Sequence, residues 1–225
     1  MNKSPVVFIH IPKTAGTSLR KIIVMNYDPK ELYFVYDRHP DYNSIKDLKN
    51  LDPESLNQYK VIMGHFPFNR RIFPLKNMRF ATIVRDPIER VISYYHHILT
   101  HNDEWRGRKT SLSKYLETSG DLQLQNHQTR VLSGVNDNLV SENHVMQAIK
   151  NINEDFIHVG ISEKFDESVS YLCNLLSWRI KEMPHENVSV NRPDTTSFSI
   201  TELNKIREIN QFDIKLYEYV KNNLC

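Results

Sequence analysis

The chain has 225 residues, 40% hydrophobic and 25% charged, an ordinary globular composition with length enough to bury the core of one α/β domain. Its 29 basic and 27 acidic residues leave a net charge of +2, which excludes a histone-like polycation and gives no argument for nucleic acid as a partner. Two cysteines, Cys173 and Cys225, exclude a disulfide scaffold and suggest no zinc site, and no stretch reaches the ~20 apolar residues of a membrane span. The opening MNKSPVVFIHIPK is too briefly apolar for a signal peptide, so a cytoplasmic protein is expected; a chain trimmed of an anchor would read the same, although the starting Met argues against trimming.

In chain order, VVFIHI (6–11) is a β-branched apolar run and reads as a buried parallel strand. TSLRKIIVMN (17–26) reads as a helix with Leu19, Ile22 and Ile23 on one face. YFVYD (33–37), YKVIMGH (59–65), FATIVRD (80–86) and DFIHVGI (155–161) supply four more strands. PIERVISYYHHIL (87–99) is a helix with Pro at its first turn, where a missing N–H is harmless. SEKFDESVSYLCNLL carries Phe165, Val169, Leu172, Cys173 and Leu176 at helical intervals, and FDIKLYEYVKNNL closes the chain as another helix. Residues 102–110 read as an exposed loop, and 184–199 as a long irregular one. Strands alternating with helices predict one α/β domain over residues 1–225, a central parallel sheet flanked by helices, with ligands at the carboxyl ends of the strands. Lys13, His65 and Arg85 fall at three of those ends.

Pro12-Lys13-Thr14-Ala15-Gly16-Thr17-Ser18 follows the first strand and opens a helix. Backbone N–H groups at a helix start bind anions, Gly16 allows close approach or positive φ, and Lys13 with the hydroxyls of Thr14, Thr17 and Ser18 adds charge and donors. The blander alternative is a capped helix start with a solvated lysine. The order is wrong for an ATP-binding loop, which ends in Gly-Lys-Ser/Thr.

PKTAGTS after an apolar strand resembles the 5′-phosphosulfate loop of sulfotransferases that use 3′-phosphoadenosine 5′-phosphosulfate (PAPS) as donor. RDPIERVIS resembles that family's second signature, with Arg85 at a strand end and Ser93 eight residues on. The resemblance implies a P-loop NTPase-like sulfotransferase fold. It gives Lys13, Thr14, Ala15, Gly16, Thr17 and Ser18 to the phosphosulfate, and Arg85 and Ser93 to the 3′-phosphate. VIMGHFPF places His65 as the family's carbohydrate branch, similar to heparan sulfate 2-O-sulfotransferases, places a base; a strand-end His bonded to backbone is the alternative. In-line sulfonate transfer to a hydroxyl, with His65 as the base and Lys13 stabilising the developing charge, follows from the resemblance, with a carbohydrate acceptor and no metal expected. By the same likeness Arg192, in NVSVNRPDTTS, contacts a donor phosphate and VGISEKFDES lines the adenine.

Several residues stay open between function and architecture. Asn126, Gln128 and Arg130 are acceptor contacts or an ordinary polar helix. Arg70, Arg71, Lys76 and Arg79 hold an acidic acceptor or form a solvated face. Phe66, Tyr94, Tyr95 and Trp105 stack on sugar or pack the core, and Arg90 is a solvated or structural charge. His10 is second-line support for the loop, and His97 and His101, despite their metal-ligand spacing, read as solvated. Asn187-Val188-Ser189 fits a glycosylation sequon. The competing functions are a nucleotide kinase or NTPase, for which Asp86 is a poor magnesium ligand, and a non-catalytic glycan-binding domain.

Overall fold

The computed structural model describes residues 5–37, 39–74, 77–101, 110–135, 139–180, 183 and 193–224. Five strands, β1 (Val6–Ile9), β2 (Leu32–Val35), β3 (Val61–Gly64), β4 (Arg79–Val84) and β5 (Phe156–Ile161), match the five apolar runs read from the sequence. All pair in parallel, in the order β2-β3-β1-β4-β5. β1 is central, with Ile9 level with Gly64 of β3 on one side and Thr82 of β4 on the other. The chain builds β2 and β3 to one side of β1 and then crosses to β4. The carboxyl end of β1 is therefore the topological switch point, where an open parallel sheet leaves a crevice.

β1 and β3 are buried along their whole length because both sheet faces are covered. Val6 and Phe8 point into a cluster with Leu19, Ile22 and Ile23 of α1 (Gly16–Asn26). Val7 and Ile9 point the other way, to Leu48 of α2 (Ile45–Asn50), Leu56 of α3 (Pro53–Leu56) and the Phe66–Phe73–Phe80 group. α4 (Pro87–His101) buries Val91, Ile92, Tyr94, Tyr95 and Ile98 against α5 (Leu112–Thr118) and Ile206. α6 (His127–Ser133), α7 (Glu142–Asp155) and the chain's final helix cover β5. α8 (Phe165–Leu176) follows β5 through one turn of 3₁₀ helix, then come α9 (Ile200–Ile209) and α10 (Gln211–Asn223). Ser44, Ser111 and Ser199 cap their helices with side-chain oxygens, which explains where these short elements begin. Among the described residues no helix is long and apolar enough to cross a membrane.

Candidate active site

The loop after β1 is built from strained backbone. Lys13 (φ 71°) and Ala15 (φ 64°) both occupy the left-handed region, which costs about 1–2 kcal/mol per non-glycine residue. Alternation of this kind turns successive N–H groups into one concavity, a nest for an anion. Ala15 stands at the N-cap of α1 without any side-chain cap, and the first turn holds no acidic residue. The helix start therefore carries no side-chain cap from its N-cap residue, the arrangement in which a helix N-terminus can take an anion. Thr14 is buried and its hydroxyl donates to the Ile11 carbonyl at 2.8 Å, so its hydrogen serves the loop and not the anion.

Gly16 is needed for close approach, since its φ is not positive. A Cβ there would lie 1.9 Å from Nε2 of His10. His10 fills the space a side chain would take. Its Nδ1 lies 3.0 Å from the Tyr36 hydroxyl and its ring centroid 4.5 Å from that of His65. Burial, then the charges of His65, Arg20 and Lys13, lower its pKa well below the usual imidazole value, so it is a neutral spacer.

His65 follows β3 and is anchored by its own N–H, which donates to the Val35 carbonyl at 3.0 Å. Its side chain stays accessible at the rim of the crevice, edge-on to Tyr36 with centroids 4.7 Å apart. Partial loss of hydration and then the Arg20 guanidinium bring its pKa down to about 4, with Asp37 opposing. Arg20 is held over the rings of Tyr36 (5.4 Å) and Tyr42 (5.2 Å).

Arg85 leaves β4 on the opposite side of β1. Its NH1 donates to the Lys13 carbonyl at 3.1 Å, and Glu89 and Glu163 stand 3.5 and 3.7 Å from the guanidinium. Asp86 caps α4 by accepting from the N–H groups of Ile88 and Glu89 at 2.9 and 3.0 Å, which explains this carboxylate without magnesium. Ser93 sits on α4 with 4% exposure. Glu163, in the stretch expected to line adenine, accepts from the Asp86 N–H at 3.1 Å and carries a pKa raised by burial.

The structure thus gathers Lys13–Ser18, His65 and Arg85 around one strand end. Other expectations resolve toward architecture. Asn126 accepts from the N–H groups of Phe212 and Asp213 (2.9 and 3.1 Å) and donates to Ile209, so it clamps α6 to α10. Gln128 is buried against the main chain of Arg85. Arg90 is fully buried, facing the buried carboxylate of Asp213 and donating to the Gln123 carbonyl. Tyr94 donates to Asp121 at 2.6 Å, Tyr95 to the Thr110 carbonyl, and Phe66 packs on Phe73, so all three are core residues. Arg70 pairs with Asp155 and lies over Phe80, and Arg79 begins β4. This part of the basic run is at the amino ends of the strands, away from His65. Arg192, Lys76, Trp105, Cys225 and the sequon at 187–189 lie outside the described residues.

Two further histidines feel the charges of this region. His97 stacks on His101 at 4.7 Å, and Lys13 is the second cause, after burial, of a pKa lowered to about 4. The imidazole of His127, at the start of α6, is buried, and the charges of Arg90, Arg130 and His65 add to burial in lowering its pKa. A cavity of about 420 Å³ lies elsewhere, at the outer edge of β5 against Tyr171 and Leu224; none of Lys13, His65, Arg85 or Ser93 lines it.

This arrangement sets an uncapped helix start, a histidine and an arginine around the switch point of a parallel α/β sheet. The chain belongs to the sulfotransferase family, whose description fits residues 2–220. It is 24% identical over 281 residues to heparan-sulfate 6-O-sulfotransferase 2 of Danio rerio, covering 96% of this chain and 57% of that protein. The chain therefore spans little more than half the length of this curated relative. It is similar to the crystal structure of a sulfotransferase from Alicyclobacillus acidocaldarius, with TM-score 0.55, 14% identity and coverage of 96% and 95% of the two chains, so the two share a fold. A crystal structure of mouse sulfotransferase SULT7A1 complexed with PAP matches at TM-score 0.47 and 13% identity, over 95% of this chain and 65% of that one.

Proposed function

We propose that the protein is a sulfotransferase that moves a sulfonate from PAPS to a carbohydrate hydroxyl, working as one domain over residues 1–225. One observation carries the reading. The left-handed, uncapped loop after β1 and the arginine after β4 meet, with the Arg85 guanidinium bonded to the Lys13 carbonyl. These two elements suit the two anionic ends of PAPS. The loop N–H groups and Lys13 face the 5′-phosphosulfate, and Arg85 with Ser93 grips the 3′-phosphate that distinguishes PAPS from ATP.

His65 is the proposed base: it stands at the accessible rim of the crevice, and a pKa brought down to about 4 leaves its imidazole unprotonated at neutral pH, at the cost of some basicity. It takes the acceptor proton as the hydroxyl oxygen bonds to sulfur. The sulfur–oxygen bond to the phosphate breaks in line, and that oxygen leaves with its electron pair on adenosine 3′,5′-bisphosphate (PAP). Lys13 and the loop amides stabilise charge on the sulfonate and the departing oxygen. A carbohydrate acceptor is supported by the named activity of the Danio rerio relative and by the His base, since a protein-tyrosine acceptor suggests a carboxylate. Arg20 beside His65 suits an anionic sugar.

Calorimetric titration tests the donor site. PAP is expected to bind with clear preference over ATP–magnesium; the opposite preference would make this a kinase-like protein and overturn the reading.

A further inference from the structure

Arg85 lies one residue past the β4–β5 ladder, which ends at Val84 and Ile161. Beyond the ladder a strand has no neighbour to hold its direction, yet a guanidinium that reads phosphate needs its backbone fixed. Gln128 supplies the hold. Its Oε1 accepts from the Arg85 N–H at 2.9 Å and its Nε2 donates to the Arg85 carbonyl at 2.8 Å. A primary amide is the side-chain group that both accepts and donates from one flat end, so Gln128 imitates the missing strand neighbour.

The clasp is itself clamped. Gln128 is 1% exposed, and its own N–H donates to Oδ2 of Asp213 at 3.0 Å, while the Thr129 N–H donates to Oδ1 at 2.7 Å. Asp213 is fully buried on α10 and opposes Arg90 of α4. Three helices thereby converge on the main chain of one arginine. The side chain of that arginine then runs to the Lys13 carbonyl, between Glu89 and Glu163.

We propose that Gln128 is a positioning residue for donor selectivity: by clasping the main chain of Arg85 it aims the guanidinium at the 3′-phosphate, and so sets the preference for a 3′-phosphorylated nucleotide over one without that group. This rests on the donor-site reading above. It assigns α6 a role in reading the donor, in place of the acceptor contact that Gln128 suggests by sequence.

The test uses the full chain and two probes, PAP and adenosine 5′-monophosphate, titrated by calorimetry. Gln128→Met keeps the length and volume of the side chain and loses both hydrogen bonds; the Asp213 bonds, made to main chain, remain. The expected result is at least a tenfold fall in the preference for PAP, with 5′-monophosphate binding within twofold of the native chain. Gln128→Glu, which keeps the acceptor and loses the donor, is expected to reduce the preference as well and serves if the Met variant does not fold. A folded variant that retains the native preference, or that loses both nucleotides in equal measure, overturns the positioning role. If the native chain itself shows no preference for PAP, the donor-site reading falls, and this inference with it.

Discussion

Replacing Gly16 by Ala tests how the loop and the proposed base are spaced. The new Cβ would stand 1.9 Å from Nε2, 2.0 Å from Cδ2 and 2.6 Å from Cε1 of His10, where ordinary contact begins at 3.4 Å. The ring must retreat by 3.4 − 1.9 = 1.5 Å at its nearest atom. That motion strains the 3.0 Å contact to the Tyr36 hydroxyl and the tilted ring contact, centroids 4.5 Å apart, with His65. Overpacking of this kind costs about 1–3 kcal/mol, and the loss of a hydrogen bond adds about 1 kcal/mol. Against this, Ala is favoured over Gly in a helix by up to about 1 kcal/mol. The net loss of about 1–3 kcal/mol lowers Tm by roughly 2–12 °C at 2–4 °C per kcal/mol for a chain of this size. Turnover should fall about 10²-fold, the scale of a misplacement near 1 Å. Thermal melts and initial rates of Gly16→Ala, His10→Ala and the double variant form the assay. In the His10→Ala background the clash disappears, so Gly16→Ala should then cost little stability. An unchanged Tm for Gly16→Ala, or an equal loss in both backgrounds, would refute the reasoning.

Further outcomes follow from the same geometry. Arg85→Ala should weaken PAP binding by about 1.5–3 kcal/mol, roughly 10- to 150-fold, as read by calorimetry; unchanged affinity would remove Arg85 from the 3′-phosphate. Asp213→Ala leaves Arg90 buried without its counter-charge and frees the Gln128 and Thr129 N–H groups, so a loss of about 3–5 kcal/mol is expected in denaturant melts. The His65 base acts unprotonated, and its pKa is lowered to about 4, so kcat/KM should hold from neutrality to about pH 5 and decline toward 4; a limb at 6.5 would show an imidazole free of the burial and the Arg20 charge that lower it. Stability moves in the same sense. His10 and His127 have pKa values below their unfolded value of 6.5, so the unfolded chain binds more protons below that pH. Folding should therefore be fully supported above about pH 6.5 and lose stability as pH falls below it, measured as Tm against pH.

Much of the frame was legible because it rests on local pattern. Uninterrupted apolar runs such as VVFI and FATIV mark strands buried on two faces, and Pro87 after Arg85-Asp86 marks the helix start. What the sequence could not reveal depends on contacts distant in the chain. The imidazole of His10 against Gly16 and the left-handed backbone at Lys13 and Ala15 are settled by the fold, so of the two roles open to Gly16 the close approach holds, while the positive φ falls on its neighbours. Gln128 reaches Arg85 across 43 residues, and Asp213 reaches Gln128 across 85, spacings with no periodic trace. The face of α6 carried one usable signal. Gln128, Thr129, Leu132 and Ser133 form its buried stripe, which leaves His127 and Arg130 together on another side. The basic run stayed open in the sequence because charge says nothing of direction: between His65 and Arg79 the chain passes from the carboxyl end of β3 to the amino end of β4.

The central claim is sulfonate transfer from the crevice beside β1. Its most direct measurement follows labelled sulfonate from PAPS into a desulfated heparan-type glycan, with PAP release in parallel, for the native chain and for Lys13→Ala and His65→Ala. The account predicts label in the glycan with equimolar PAP from the native chain, and loss of both from the two variants with their folds intact. Label transfer undiminished in either variant would contradict the account of the site, and no label from the native chain into any hydroxyl acceptor, despite PAP binding, would contradict the account of the reaction.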